Sequence, residues 1–307
     1  MTEEHEDEYA ETFNNEYFPY TLGFKKFVEA LGYETHYLLA VHDGRIVNAL
    51  CLSKCGSSGY TPFGFAGGAI NSRYVDELYA RAKEMFKGRG CNELAIVSSP
   101  FHNVQPPTPL VEWRFAQVTH LPSLVYPRTI RKEINKAVRL SFDIEVDSTL
   151  DTHRDLIHEF SDLCRKNIER KDSTTHDEKF IDAVLSNLDS ELWSCRKDGV
   201  LLAAVLLVKS SDVIDYFMVG QVVDEEKRKY ALEWLIHNII ESYHDRTWMN
   251  WQGSCDSGTK FFKERFRADT FWYPVFKHPL VEQRASFGDL ILGLGKGMER
   301  VWFGDRA

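Results

Sequence analysis

No apolar stretch in the 307-residue sequence approaches the roughly 18 residues a bilayer-spanning helix needs, so no membrane span is expected. No basic-then-apolar region opens the chain, which favours a soluble, cytoplasmic protein. Cysteine is scarce and scattered: Cys51, Cys55, Cys91, Cys164, Cys195 and Cys255 suggest reduced thiols rather than a disulfide framework. Cys51 and Cys55 lack a second Cys/His pair at zinc-ligand spacing, and the 11 histidines form no H-E-x-x-H pair, so no metal is expected. A G-x-S-x-G nucleophile motif is missing, and Gly293-Leu-Gly-Lys-Gly297 has no Ser or Thr after its lysine, which excludes a phosphate-binding P-loop. The first 20 residues contain no Lys or Arg.

Those 20 residues do contain Glu3, Glu4, Glu6, Asp7, Glu8, Glu11 and Glu16, and setting these seven aside moves the net charge from −9 to −2. Residues 1–20 are therefore expected to be an acidic, flexible tail that aids solubility or contacts a partner. The nearly neutral remainder argues against DNA as a partner, since such binding rests on many phosphate contacts. With 43% hydrophobic and 27% charged residues, the composition is that of a globular protein, and the length suggests two domains.

An internal repeat organises the chain. Residues 37–52 read as strand, Asp43-Gly44 turn, strand, and residues 192–208 read the same way around Asp198-Gly199, 155 residues later. Asp-Gly supplies the positive φ angles a tight hairpin demands. In the first copy a strand at 60–69, a helix near 72–88 and a strand at 94–97 follow. In the second come a strand at 213–220, a helix near 225–244 and a strand at 248–252. Leu232, Leu235, Ile236, Ile239 and Ile240 recur at helical spacing in that second helix. Pro106, Pro107 and Pro109 mark an irregular segment between the copies, and helices are expected at 128–140, 151–171 and 177–188.

This order of elements, twice over, resembles the tandem GNAT N-acyltransferase fold, an α/β class with a mixed sheet. Local motifs narrow the resemblance to Fem-type peptidyltransferases and related FemAB-like acetyltransferase domains. Thr61-Pro-Phe-Gly-Phe-Ala-Gly-Gly-Ala69 is similar to the group's glycine-bearing segment, and Arg128-Thr-Ile-Arg-Lys-Glu-Ile-Asn-Lys-Ala137 to its Arg-rich helix. Trp251-Gln-Gly253 and Phe262-Lys-Glu-Arg-Phe266 resemble its closing strand and Phe-Lys-x-x-Phe helix. The resemblance implies GNAT-like domains at 21–125 and 126–280, the second carrying the acyl-transfer site, with 281–307 as an extension. Two departures stand out. Arg267 replaces the glycine that commonly follows Phe-Lys-x-x-Phe, and neither half has the Arg/Gln-x-x-Gly-x-Gly/Ala loop with which CoA-using members hold pyrophosphate. Asp224-Glu-Glu at the start of the second helix would repel phosphate.

Acyl transfer to an amine needs a held carbonyl, a donor for its oxyanion and a neutral nucleophile. The resemblance puts the site between splayed strands at 213–219 and 248–252. Strand alternation sets Trp248, Asn250 and Gln252 on one face, Met249 and Trp251 on the other. Lys263 matches the lysine of the family motif and is the first catalytic candidate, the alternative being a solvated helix lysine. Asp215 is the candidate base, or a strand-edge aspartate. Asn250 is a third catalytic candidate, and Gln252 would orient the carbonyl. Gly67, Gly68, Trp251 and Tyr216 are candidate substrate-binding residues. Arg128, Arg131 and Lys132 lie on a basic helix stripe that would bind a nucleotide, a phosphorylated acceptor or tRNA, or would simply be solvated. The expected enzyme moves an acyl or aminoacyl group from acyl-CoA or aminoacyl-tRNA to an amine on a sugar, peptide or amino-acid precursor, with no tightly bound cofactor. The alternatives are a non-catalytic ligand-binding protein of the same architecture and an interaction protein working through the acidic tail.

Overall fold

The computed structural model describes residues 3–61, 68–101, 104, 110–148, 154–169, 177–224, 230–254 and 256–281. The first half runs α1 (Glu3–Phe13), α2 (Leu22–Ala30), β1 (Glu34–His42), β2 (Arg45–Cys55), β3 (Ser58–Tyr60), α3 (Val75–Gly88), β4 (Glu93–Val97) and β5 (Leu110–His120). The second runs α4 (Arg128–Ala137), β6 (Asp143–Ser148), α5 (Arg154–Glu169), α6 (Glu178–Asn187), β7 (Ser190–Lys197) and β8 (Val200–Lys209). It continues with β9 (Val213–Gln221), α7 (Ala231–Ser242), β10 (Trp248–Asn250), α8 (Ser257–Glu264) and β11 (Asp269–Pro279).

The repeat is visible in backbone geometry. Asp43 and Gly44 take φ of 50° and 73°, and Asp198 and Gly199 take 52° and 76°, so both hairpins turn through left-handed pairs. Tyr74 and Tyr230, each just before the helix of its copy, are left-handed too, with φ of 55° and 67°. The expected first-copy strand at 60–69 is shorter than its sequence suggests: β3 ends at Tyr60, and residues 62–67 lie outside the described residues.

Among the described residues, the 11 strands form one mixed sheet in the order β1-β2-β3-β4-β11-β5-β10-β9-β8-β7-β6. The last strands are exchanged. β5, which closes the first copy in sequence, lies beside β10 of the second, and β11, which closes the second, lies between β4 and β5 of the first. Each copy's sheet is thus completed by the other's final strand. β8 is buried from Leu201 to Val208, as a central strand covered on both faces must be.

Three apolar clusters cover this sheet. One is shared: α1, α2, α5 and α6 contribute Tyr9, Phe24, Phe27, Phe160, Phe180 and Ile181 to it, over residues of β2, β8 and β9. A second packs α4 and α7 on the opposite face of the later strands, and a third packs α3 on the earlier ones. In the shared cluster α2 meets α6 so closely that a Cβ on Gly23 would stand 2.4 Å from the backbone oxygen of Asn187.

The acidic N-terminal segment is not a loose tail. Its carboxylates are interleaved with Tyr9, Phe13, Tyr17, Phe18 and Tyr20, all buried in the shared cluster. Burying five aromatic side chains outweighs the mutual repulsion of the segment's carboxylates, and Glu6 is paired with Lys25 at 3.1 Å. Glu8 also accepts a hydrogen bond from Ile46 N at 2.7 Å, and Tyr9 donates to Tyr20 O.

Candidate active site

β9 and β10 run parallel for three residues, with Val213, Ile214 and Asp215 opposite Trp248, Met249 and Asn250. There they part. Trp251 N donates to Gln117 O at 2.8 Å, and Gln252 O accepts from Gln117 N at 3.1 Å, so the chain beyond β10 follows β5 while β9 continues to Gln221. A gap therefore opens in the sheet after Asp215. At the equivalent place in the first copy, after Tyr60 and Ala95, Thr61 N donates to Ala95 O, Val97 N donates to Thr61 Oγ1 and the chain beyond Ala95 follows β11, while residues 62–67 lie outside the described residues.

Asp215 stands at the apex of the gap and is fully buried. Its Oδ1 accepts three hydrogen bonds, from Tyr17 OH at 2.9 Å, Asn250 Nδ2 at 2.7 Å and Gln252 Nε2 at 2.6 Å. Its Oδ2 is buried with no hydrogen-bond partner among the described residues. Removal from water disfavours the carboxylate, and the three donors only partly offset that, so the acid's pKa is pushed up to about 8. Burial and the neighbouring Asp215 raise the Tyr17 phenol well above its ordinary value, which keeps it a neutral donor. Asn250 Nδ2 also contacts Tyr17 OH at 3.0 Å, and Asn250 Oδ1 accepts from Gln252 N. Asn250 reaches Asp215 from β10, and Gln252 reaches it from the turn beyond the strand, where alternation no longer applies.

The turn after β10 is held in a costly conformation, with Gln252 left-handed at φ 61°. Lys263 secures it. Its ammonium, on a residue only 3% exposed, donates to Trp251 O and Gly253 O at 2.6 Å each, with Gln252 O at 3.4 Å. It is therefore not a solvated helix lysine: in this structure it holds the segment that leaves β9. The reason lies in α8, whose Asp256 cap accepts from Thr259 N at 2.7 Å and starts the helix so that Lys263 points under the turn. Gln117 of β5, fully buried, ties the same turn to α8 by donating to Lys260 O.

Trp251 and Tyr216, expected to bind substrate, are instead buried in the second cluster with ring centroids 5.2 Å apart. Both point to the sheet face opposite Asp215, and Trp251 Nε1 is satisfied by Thr119 Oγ1 at 2.8 Å. Arg128, Arg131 and Lys132 stand exposed on α4, which packs through Ile130, Ile134 and Ala137. Gly68 is left-handed at φ 91° against Tyr79 in the first copy, far from Asp215 in the sheet order, and Gly67 lies outside the described residues. So do 225–229, the first residues of the expected second helix, and 282–307. Tyr17 and Gln117 are the site residues that sequence reasoning missed. Both come from the first half; the aromatic run Tyr17-Phe-Pro-Tyr20 within an acidic segment was the available signal.

Residues 126–250 match the family profile described as Acetyltransferase (GNAT) domain. No curated protein matches the chain. Among solved structures, that of FemX is 12% identical, with 89% of this chain and 96% of that chain covered and a TM-score of 0.66. L-PGS from Bacillus licheniformis is 10% identical, covering 95% of each chain with a TM-score of 0.59. A tandem GNAT protein from the clavulanic acid biosynthesis pathway, solved without AcCoA, is 10% identical, covering 90% of this chain and 94% of that chain with a TM-score of 0.53. At these identities the likeness is one of fold. The mixed α/β sheet is thus of the tandem GNAT kind, and no helix among the described residues is long and apolar enough to cross a membrane.

Proposed function

We propose that this acyltransferase, a FemAB-like tandem GNAT protein, moves an acyl or aminoacyl group from an activated donor to an amine at the gap between β9 and β10. The observation that carries the reading is a difference between the two copies at one position. Where β9 and β10 part, the second copy places a buried, proton-holding carboxyl group, Asp215; at the matching position the first copy places Tyr60. Backbone N–H groups of β9 that no longer pair with β10 suit a donor carbonyl, whose oxyanion they would stabilise. The acceptor nitrogen forms the new C–N bond as the donor's C–S or C–O bond breaks; Asp215, in its ionised form, takes the proton the nitrogen gives up and returns it to the departing thiolate or alkoxide. A carboxyl group with a pKa near 8 suits that task near neutral pH, because a general base works best when its pKa lies close to the working pH. Tyr17, Asn250 and Gln252 hold it in place.

The donor is a thioester or an ester. The acetyltransferase profile favours acyl-CoA, which GNAT enzymes use as a co-substrate, and the exposed basic stripe of α4 favours the acceptor stem of a charged tRNA. The test is to incubate the full chain with acetyl-CoA and, separately, with charged tRNA, each with a panel of primary amines. Amide formed from one donor and lost in Asp215→Asn supports the reading; failure to deacylate either donor overturns it.

A further inference from the structure

A cavity of about 370 Å³ lies at the other ends of β9 and β10, beside Val213 and Trp248. Its walls include four aromatic side chains, Tyr17, Phe101, Trp248 and Phe271, and two carboxylates, Glu16 and Asp212. The rings stand in two edge-to-face pairs, Tyr17 with Phe101 at 5.1 Å and Trp248 with Phe271 at 5.7 Å. None of the described residues lining it is a lysine, arginine or histidine. The neighbouring cation, Arg246, is turned onto the backbone carbonyls of Ser210 and Ser211.

The chemistry of those walls selects by charge. Aromatic faces carry negative electrostatic potential and attract organic cations, more strongly where water is excluded. Carboxylates add to that potential, and a neutral ligand that displaced the water at exposed Asp212 would desolvate its charge without replacing that solvation. A volume of a few hundred cubic ångströms holds a small molecule or the end of one side chain.

We propose that this cavity binds an alkylammonium group, carried by a small amine or a lysine-like side chain. Tyr17 joins it to the acyl-transfer site, since the residue whose ring lines the cavity donates its hydroxyl to Asp215. That the bound ammonium belongs to the acceptor rests on the acyltransferase reading above; that the cavity takes an ammonium does not.

Calorimetric titration of the full chain tests this with choline, n-butylammonium and 3,3-dimethylbutanol, the last being choline's uncharged isostere. At least one ammonium should bind about tenfold more tightly than the isostere, and which one does tells a quaternary ligand from a primary amine. Trp248→Leu should weaken that ammonium about fivefold or more, and the exposed substitution Asp212→Asn should reduce the preference without changing the melting temperature. Equal binding of ammonium and isostere, no binding of either, or unchanged affinity in a folded Asp212→Asn and Trp248→Leu pair overturns the proposal. Donor consumption is scored separately. A chain that selects ammonium yet consumes no donor keeps the cavity and loses the acyltransferase reading; the reverse result does the opposite.

Discussion

Asp215→Asn keeps the side chain's shape and leaves an oxygen for the three donors, but removes the group that titrates. The carboxyl's pKa moves from an ordinary 3.8 to about 8 on folding, so the native state holds a proton that the unfolded chain releases. The sign follows from proton linkage: a carboxyl whose folded pKa is raised contributes full stability below pH 4 and loses it as the pH climbs toward 8. The slope is about 1.4 kcal/mol per pH unit, or about 4 kcal/mol between pH 5 and pH 8. The uncharged amide carries no such penalty. Urea unfolding of both proteins at pH 5, 6, 7 and 8 should therefore show the variant gaining on the parent by about that amount, with the gain levelling off above pH 8. Taking the difference between the two cancels other titrating groups. Parallel pH profiles would refute the reasoning, because they would mean that Asp215 is ionised and solvated in the folded protein.

Tyr17→Phe deletes a hydrogen bond that favours the Asp215 carboxylate, so the acidic limb of the rate profile should move to higher pH. An unmoved limb measured as kcat/KM against pH would show that Tyr17 does not hold Asp215. Lys263→Met strips the carbonyls of Trp251 and Gly253 of their donor and should cost about 2–4 kcal/mol by urea unfolding; a change below about 0.5 kcal/mol contradicts its positioning role. Gly23→Ala drives a methyl into the backbone of Asn187 and should destabilise the chain by about 1–3 kcal/mol, seen as a lower melting temperature. Neutralising Arg128, Arg131 and Lys132 together should leave stability within about 0.5 kcal/mol. It should flatten the salt dependence of transfer only if the donor is a tRNA, and a change in the use of acetyl-CoA would contradict that assignment.

The parts of this fold legible in the sequence are those set by local chemistry. Two Asp-Gly hairpins 155 residues apart, the apolar spacing of α7 and the alternation through Trp248, Met249 and Asn250 each leave a pattern within a few residues. The exchange of β5 and β11 leaves none, because a strand's partners are fixed by long-range closure of the sheet. Lys263 is visible through its motif but not in its role: a lysine that satisfies carbonyls and one that faces a substrate read alike in sequence. Tyr216 and Trp251 mislead because an aromatic residue near a site looks the same whether it packs under it or into it. Tyr17 is hidden by its acidic neighbours. Counting charge over 20 residues overlooks five aromatics at positions where α1 and the turn after it can bury them.

The account's central claim is that the second copy's gap grips the donor while the first copy's does not. Hydrogen exchange of backbone amides in the full chain, with and without a saturating non-transferable donor analogue, reads this directly. Amides within 216–221 and 251–253 should gain protection while those around Thr61 and Val97 stay unchanged. Protection at the first-copy position, or none at 216–221 from a donor that demonstrably binds, would contradict it.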